Sequence, residues 1–293
     1  MFDQKDKILL TFALILFALG LLVIVQTANL GKLRLVFCDV GQGDGMLLIT
    51  PSGKDIVVDG GPGTKIVDCL GEKMPFWDRT IEMVVLTHPQ KDHLEGLLEV
   101  LARYKVEMIT TTGVENETEL FKAWQTAIKA EGARIYTPKV GDRLILDTGG
   151  SQTSSMDILW PTKDKLELWK LAGLSELNES SVVLRLGFGQ FCAYLTGDIP
   201  KEILQTLINK PCQILKISHH GSKTGTNQEI LDLVKPAVAI IQVGKNSFGH
   251  PHKEVIDLLT SKGVRVYRND INGVVEVKSE GKTYKVNGQK YLE

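Results

Sequence analysis

The chain is poor in several features that would have decided its class at once. It has only four cysteines, Cys38, Cys69, Cys192 and Cys212, and none forms a C-x-x-C pair, which argues against a structural zinc knuckle. The formal net charge is −1, so no global basic field gathers nucleic acid, and any polyanion must be met by a local site. No fixed-period repeat is visible, which excludes a solenoid or propeller. No Gly/Pro/Ser-rich linker divides residues 31–293, so that stretch is expected to be one domain. Long hydrophobic runs are scarce too. There is one, near the N-terminus, and a single hydrophobic segment cannot form a polytopic channel.

That single run is informative. Residues from Ile8 to Gly31 carry no charge, and Ile8 to Val25 is almost wholly Leu, Ile, Val, Phe and Ala. About 18 strongly apolar residues reach the length of a spanning helix. The run is apolar on every face, unlike a core helix, and no A-x-A-like cleavage site follows it, unlike a secretory signal. Residues 1–30 are therefore expected to be a retained signal-anchor, with one helix over about 8–27. Lys5 and Lys7 precede the run, and Lys32 and Arg34 follow it, so flanking charge does not set the orientation.

Beyond Gly31, apolar strand-like runs alternate with helical periodicity. Strands are expected at Leu33–Phe37, Met46–Thr50, Asp55–Val58, Glu82–Leu86, Arg134–Thr137, Asp142–Leu146 and Met156–Trp160. Further strands are expected at Ser181–Leu186, Phe191–Leu195, Ile214–Ser218, Ala237–Val243 and Val264–Tyr267, with a closing hairpin of Val274–Val277 and Lys282–Val286. Helices are expected at Leu94–Tyr104, Glu117–Glu131, Pro200–Ile208, Asn227–Val234 and His252–Lys262. The charged segment Lys163–Leu177 reads as a helix in an exposed insertion, and Asp147–Ser155 as a loop. The pattern implies an α/β sandwich, with two sheets face to face and helices outside. The cysteines beside strand-like runs read as small buried hydrophobes, which leaves the redox compartment open.

Five of the six histidines, His88, His93, His219, His220 and His250, fall at the ends of expected strands, as do Asp92 and Asp198. Loops after strands are where a rigid sheet can bring ligands together, and imidazole with carboxylate suits zinc, manganese or iron. Each residue has a plainer reading. Asp92 could cap the following helix, Asp198 could cap the helix near Pro200, and Gly249-His250-Pro251 could be a simple turn. Their joint placement favours a metal site.

The order of short motifs resembles a known family. Phe37-Cys38-Asp39-Val40-Gly41-Gln42-Gly43-Asp44 is similar to the DVGQGD signature of the metallo-β-lactamase-like domain of ComEC competence proteins. Val57-Val58-Asp59-Gly60-Gly61, Thr87 to His93, Thr196-Gly197-Asp198, His219-His220-Gly221-Ser222, Gly249-His250-Pro251 and Tyr267-Arg268-Asn269-Asp270 resemble its later motifs in order. The resemblance covers residues 33–277. It implies an αββα sandwich of the metallo-β-lactamase fold, here preceded by one transmembrane helix. It also implies two adjacent metal positions. His88, residue 90, Asp198 and His219 or His220 would surround the first. Asp92, His93, Asp198 and His250 would surround the second, with Asp198 bridging. His220 is taken as the metal ligand of its pair, while Asp92 and His219 are expected to act on substrate. Asp44 and Asp59 are expected to orient ligands or close turns.

Gln90 departs from the family pattern, which has histidine there. An amide oxygen is a poorer zinc ligand than an imidazole, so one tight and one weak divalent site, zinc or manganese, are expected. The resemblance implies a membrane-anchored phosphodiesterase or nuclease acting on DNA outside the cytoplasm during competence. The alternatives are hydrolysis of small phosphoesters of the phosphorylcholine type, and a catalytically degenerate module that binds DNA or a partner. The family's channel-forming membrane domain has no counterpart in these residues, so a separate DNA-channel protein is an expected partner.

Overall fold

The computed structural model describes residues 4–27, 31–148, 152–172 and 176–289. The end of the expected anchor at residues 28–30, the middle of the expected 147–155 loop and residues 173–175 of the 163–177 segment lie outside the described residues.

Strands Leu33–Phe37, Gly45–Ile49, Asp55–Gly60, Met83–Leu86, Met108–Thr111 and Arg134–Tyr136 join the C-terminal hairpin, Val275–Ser279 and Tyr284–Gly288, in an eight-stranded sheet. A second, seven-stranded sheet runs from Arg143–Asp147 through Ser154–Trp160, Val183–Phe188, Phe191–Leu195, Ile214–Lys216 and Val238–Ile241 to Arg265–Arg268. The two sheets share one apolar layer. Leu35, Phe37 and Val58 from the first meet Met156, Leu186 and Ile240 from the second. Helices cover the outer faces. Lys65–Lys73, Lys91–Leu101 and Glu119–Glu131 lie on the first sheet, and Lys163–Ala172, Lys201–Leu207, Gln228–Val234 and Lys253–Ser261 on the second. The result is the α-β-β-α layering that the pattern implied. Strands buried on both faces explain the near-continuous apolar runs: in Leu33–Phe37, Leu35 faces the other sheet and Val36 faces the helices.

Several elements differ from expectation. The helix after His88 begins at Lys91, so Asp92 and His93 sit in its first turn and Asp92 is not its cap. Helix Lys65–Lys73 and strand Met108–Thr111 carried too short a periodic signal to be separated from their neighbours. The 163–172 helix is not wholly exposed, because Leu166 and Trp169 are buried under Trp160. The cysteines are not free hydrophobes. Cys38 is bonded to Cys69 and Cys192 to Cys212, partners 31 and 20 residues apart. Local composition cannot reveal such pairs, because folding brings them together.

Gln4–Thr27 forms one helix of 24 residues, about 36 Å long at ~1.5 Å per residue. From Ile8 to Phe17 the described apolar side chains are all exposed. Side chains of residues 7, 18, 19 and 21–27 lie outside the described residues. Among the described residues no helix is long and apolar enough to cross a membrane.

Asp55, at the start of its strand, supplies a pH-dependent test of the fold. Burial, reinforced by the nearby Asp78 and Glu82 carboxylates, raises its carboxyl from 3.8 to about 8. Below pH ~4 the group is protonated in both folded and unfolded chains. As pH climbs toward about 8, the unfolded chain releases the proton more readily than the folded one, and stability falls across that window. Asp55→Asn is therefore expected to melt higher than wild type at pH 8, by an amount on the order of a few kcal/mol, and to lose most of that advantage at pH 5. A gap that stays constant between the two pH values, read by thermal melts, would count against this.

Candidate metal centre

Parallel strands bring the ligand-type residues to one edge. Asp55–Gly60, Met83–Leu86 and Met108–Thr111 run parallel in one sheet, and Phe191–Leu195, Ile214–Lys216 and Val238–Ile241 in the other. The C-terminal ends of such strands are where open α/β sheets form clefts. His88 follows Leu86, Asp198 follows Leu195, His219 and His220 follow Lys216, and His250 follows Ile241. Tight backbone approaches close the site. A Cβ on Gly43 would stand 2.2 Å from the Asp92 carbonyl oxygen, and the Gly43 φ is +150°, so the Gly41-Gln42-Gly43-Asp44 turn can dock here only as glycine. The Asp44 amide then donates to Asp92 O at 3.1 Å. A Cβ on Gly96 would lie 2.0 Å from Gly60 O, which lets helix Lys91–Leu101 press its first turn into the cleft.

Asp92, His93, Asp198 and His220 each offer one ligand atom, all within 4.8 Å of one another. Asp198 Oδ2 is 3.3 Å from His93 Nε2 and 3.3 Å from His220 Nε2, and His220 Nε2 is 3.2 Å from Asp92 Oδ2. The ring orientations are fixed from behind. His93 Nδ1 donates to Asp59 Oδ2 at 2.8 Å, and Asp59 is held by the Thr87 amide at 2.8 Å and the Thr87 hydroxyl at 2.7 Å. His220 Nδ1 donates to Gln242 O at 2.9 Å. With each Nδ1 proton engaged, both Nε2 atoms are turned to the cleft, an arrangement typical of metal-ligating histidines. Against the effect of burial, the Asp198 carboxylate raises both imidazoles well above their usual range, so a proton holds the place that a cation would take.

His88 stands beside this group, its ring 4.1 Å from that of His93. Its Nδ1 lies 3.1 Å from Thr87 Oγ1, whose own proton is committed to Asp59, so His88 donates from Nδ1 and leaves Nε2 as a lone pair. Burial and the adjacent His93 press the His88 imidazole down to about 3, which keeps it neutral. Buried atoms without hydrogen-bond partners test whether a metal fits: His88 Nε2, His93 Nε2 and, on the histidine side of its carboxylate, Asp198 Oδ2 are in this state. Leaving such atoms unpaired is costly, and a divalent cation satisfies them together. Burial alone would raise the Asp92 carboxyl, but His220 and then His93 hold it well below its usual range, so it is an anion ready to ligate.

The allocation of ligands differs from expectation in one respect. His250 was expected with Asp92, His93 and Asp198, but His220 takes that place. The His250 ring is 6.4 Å from that of His220 and 5.4 Å from that of His219, toward the rim. The reason is backbone conformation: His219 and His220 both adopt left-handed φ, +52° and +53°, which turns His220 inward and His219 outward. His219 Nδ1 lies 3.5 Å from Asn178 and 3.5 Å from Thr224 Oγ1. Gln90 takes the N-cap position of its helix with no side-chain cap bond. Asp59 holds the His93 ring, whereas Asp44 pairs mainly with Lys216.

Four contributors escaped sequence reasoning. Ser181 and Gln242 act through ordinary polar contacts that carry no pattern. Asn246 binds the amides of Phe248 and His250 and so shapes the rim loop. Lys216 did leave a signal, a lone charge inside the apolar run Ile214–Ser218.

No protein-family model matches the chain. ComE operon protein 3 of Bacillus subtilis is 30% identical over 261 residues, which are 81% of this chain and 32% of that protein. Recombination protein 2 of Haemophilus influenzae is 28% identical over 250 residues, 82% of this chain and 28% of that protein. This is a ComEC-like protein of the metallo-β-lactamase fold. The ComEC-like chain thus spans about a third of the length of these relatives. Among solved structures, the metallo-β-lactamase-fold protein YhfI from Bacillus subtilis superposes with a TM-score of 0.55 at 14% identity, covering 83% of this chain and 99% of that one. Zinc-bound PqqB from Methylobacterium extorquens gives a TM-score of 0.50 at 13% identity, covering 78% and 86%. At those identities the likeness concerns the fold.

Proposed function

We propose that this ComEC-like chain is a membrane-anchored, metal-dependent phosphodiesterase acting on DNA outside the cytoplasm. The observation that carries the reading is the four-residue donor group of Asp92, His93, Asp198 and His220, with unpaired His88 Nε2 beside it. A divalent cation, when bound, supplies Lewis-acid polarisation of a phosphoryl oxygen and an activated water. Asp59 and Gln242 hold the two imidazoles in the ligating tautomer, and His219, turned toward the rim, is placed to meet substrate.

The rim favours a nucleic acid over a small ester. Phe248 is 68% exposed and its ring stacks on that of His250 at 5.8 Å. An exposed aromatic beside a phosphodiester site offers a face to an unstacked base, which is worth about 1–3 kcal/mol per base. The expected result is manganese-dependent cleavage of single-stranded DNA by the detergent-solubilised full-length protein. Phe248→Ala should weaken the DNA reaction roughly tenfold and leave a small chromogenic phosphodiester almost untouched. Cleavage of phosphorylcholine esters with no action on DNA would move the assignment to small phosphoesters. A protein that binds no divalent metal would remove the enzyme reading altogether.

Redox chemistry supports the proposed compartment. All four cysteines are in disulfides, which persist in oxidising surroundings and are rare in reducing cytoplasm. With the uniformly apolar N-terminal run, this supports a single-pass anchor carrying the metal domain on the outer side, next to a separate DNA-channel protein. Protein denatured directly from cells with a thiol-reactive polymer present should carry no label. Stoichiometric labelling, or release from membranes by alkaline carbonate, would contradict this placement.

A further inference from the structure

Lys216 closes strand Ile214–Lys216 and is fully buried. Its Nζ meets three oxygens. It donates to Gly197 O at 2.8 Å, forms an ion pair with Asp44 Oδ2, and lies 3.5 Å from Asp198 Oδ1. The two carboxylates are divided by these contacts. Asp198 gives Oδ1 to the lysine and Oδ2 to the histidine side of the cleft, and Asp44 gives Oδ2 to the lysine while Oδ1 lies 3.4 Å from His220 Nδ1. Two carboxylates and a carbonyl, with no nitrogen or sulfur, form the kind of donor set that hard divalent cations take. An ammonium buried there is costly to desolvate and is retained only when well paired. The neighbouring strand residues, Ile214 and Leu215, are apolar, so packing alone does not call for a lysine.

We propose that the Lys216 ammonium is a resident cation of the centre, standing at an all-oxygen subsite that would otherwise draw a further divalent ion. It is a positioning residue. It fixes the free oxygen of Asp198 toward His93 and His220, and it places a permanent positive charge beside the four-residue donor group. The inference rests on the metal-centre reading. It also gives the Gln90 substitution a context, because a site weakened at one metal position keeps a second positive charge that cannot dissociate.

The test is metal counting, which needs no substrate. Full-length protein in detergent is dialysed against manganese and the bound ions are counted by elemental analysis. Lys216→Ala is expected to hold one more manganese per chain than wild type, and Lys216→Ala/Asp44→Asn to return to the wild-type count. The same or a lower count in Lys216→Ala overturns the proposal and leaves the lysine a structural counter-charge. Where Lys216→Ala fails to fold without metal, added manganese is expected to restore its thermal transition; failure to fold with and without manganese also overturns it. A wild-type protein that binds no manganese is a different outcome. It removes the metal centre itself, and this inference with it.

Discussion

His93→Ala is expected to abolish tight divalent-metal binding and, with it, any phosphodiesterase activity. His93 contributes an atom to the four-residue group and its ring is the one held by Asp59. Removing it deletes a ligand and also leaves the Asp59 carboxylate buried with one partner fewer. The loss of affinity should exceed the ~10–100-fold typical when only an outer hydrogen-bond partner is removed. Asp59→Asn supplies that milder comparison. It retains the ring and loses the charge that orients it, so its affinity should fall by about 10–100-fold. Zinc and manganese titrations of the two variants read the difference directly. Equal losses would mean that His93 is held for packing and not for ligation.

Gln90→His is expected to act in the opposite direction. His88 presents a neutral ring with an unpaired Nε2 to the cleft, two positions before Gln90. The Gln90 backbone accepts from the amides of His93 and Leu94, while its side chain makes no cap bond, so exchange of the side chain leaves the start of the helix intact. An imidazole there would add a nitrogen ligand beside His88 and complete the weaker position. Zinc affinity at that position should rise by at least about tenfold, ~1.4 kcal/mol, and the bound-metal count should approach two. In wild type the corresponding gain should come only from millimolar manganese, which tolerates an amide oxygen better than zinc does. If both proteins bound two zinc ions with equal affinity, the role given to Gln90 would be wrong.

The two variants bear on different parts of the cleft. His93 lies in the group that includes Asp198, whose carboxyl is held well below its usual range by His220 and His93 against the opposing effect of burial. Gln90 lies on the His88 side. A double variant, His93→Ala with Gln90→His, should regain little affinity, because the added histidine cannot replace a ring that Asp59 holds across the cleft.

Much of this protein was legible before folding was considered. The short, mostly apolar strands that lead to His88, Asp198 and His220 are largely buried on both faces, and the same burial that makes them apolar makes the polar residues at their ends conspicuous. Gly43, in its turn, and Gly60, at the end of its strand, are glycines because a side chain at either place would strike the helix that carries Asp92 and His93. The layer order, the helices on the outer faces and the set of ligand-type residues were therefore determined by local pattern. Tertiary structure decided what local pattern cannot encode. Cys38 and Cys69, or Cys192 and Cys212, are small apolar residues until separate elements place their Cα atoms 5.9 and 5.1 Å apart. The choice of His220 over His250 depends on two consecutive left-handed residues that rotate one ring in and the other out. The partnership of Lys216 with Asp44 and Asp198 joins residues from three parts of the chain. Sequence determined which groups reach the cleft, because burial imposes a period on the residues that lead there. Only the folded chain decided which of those groups meet, because distances of 3 to 4 Å between side chains are set by how two sheets and their turns pack.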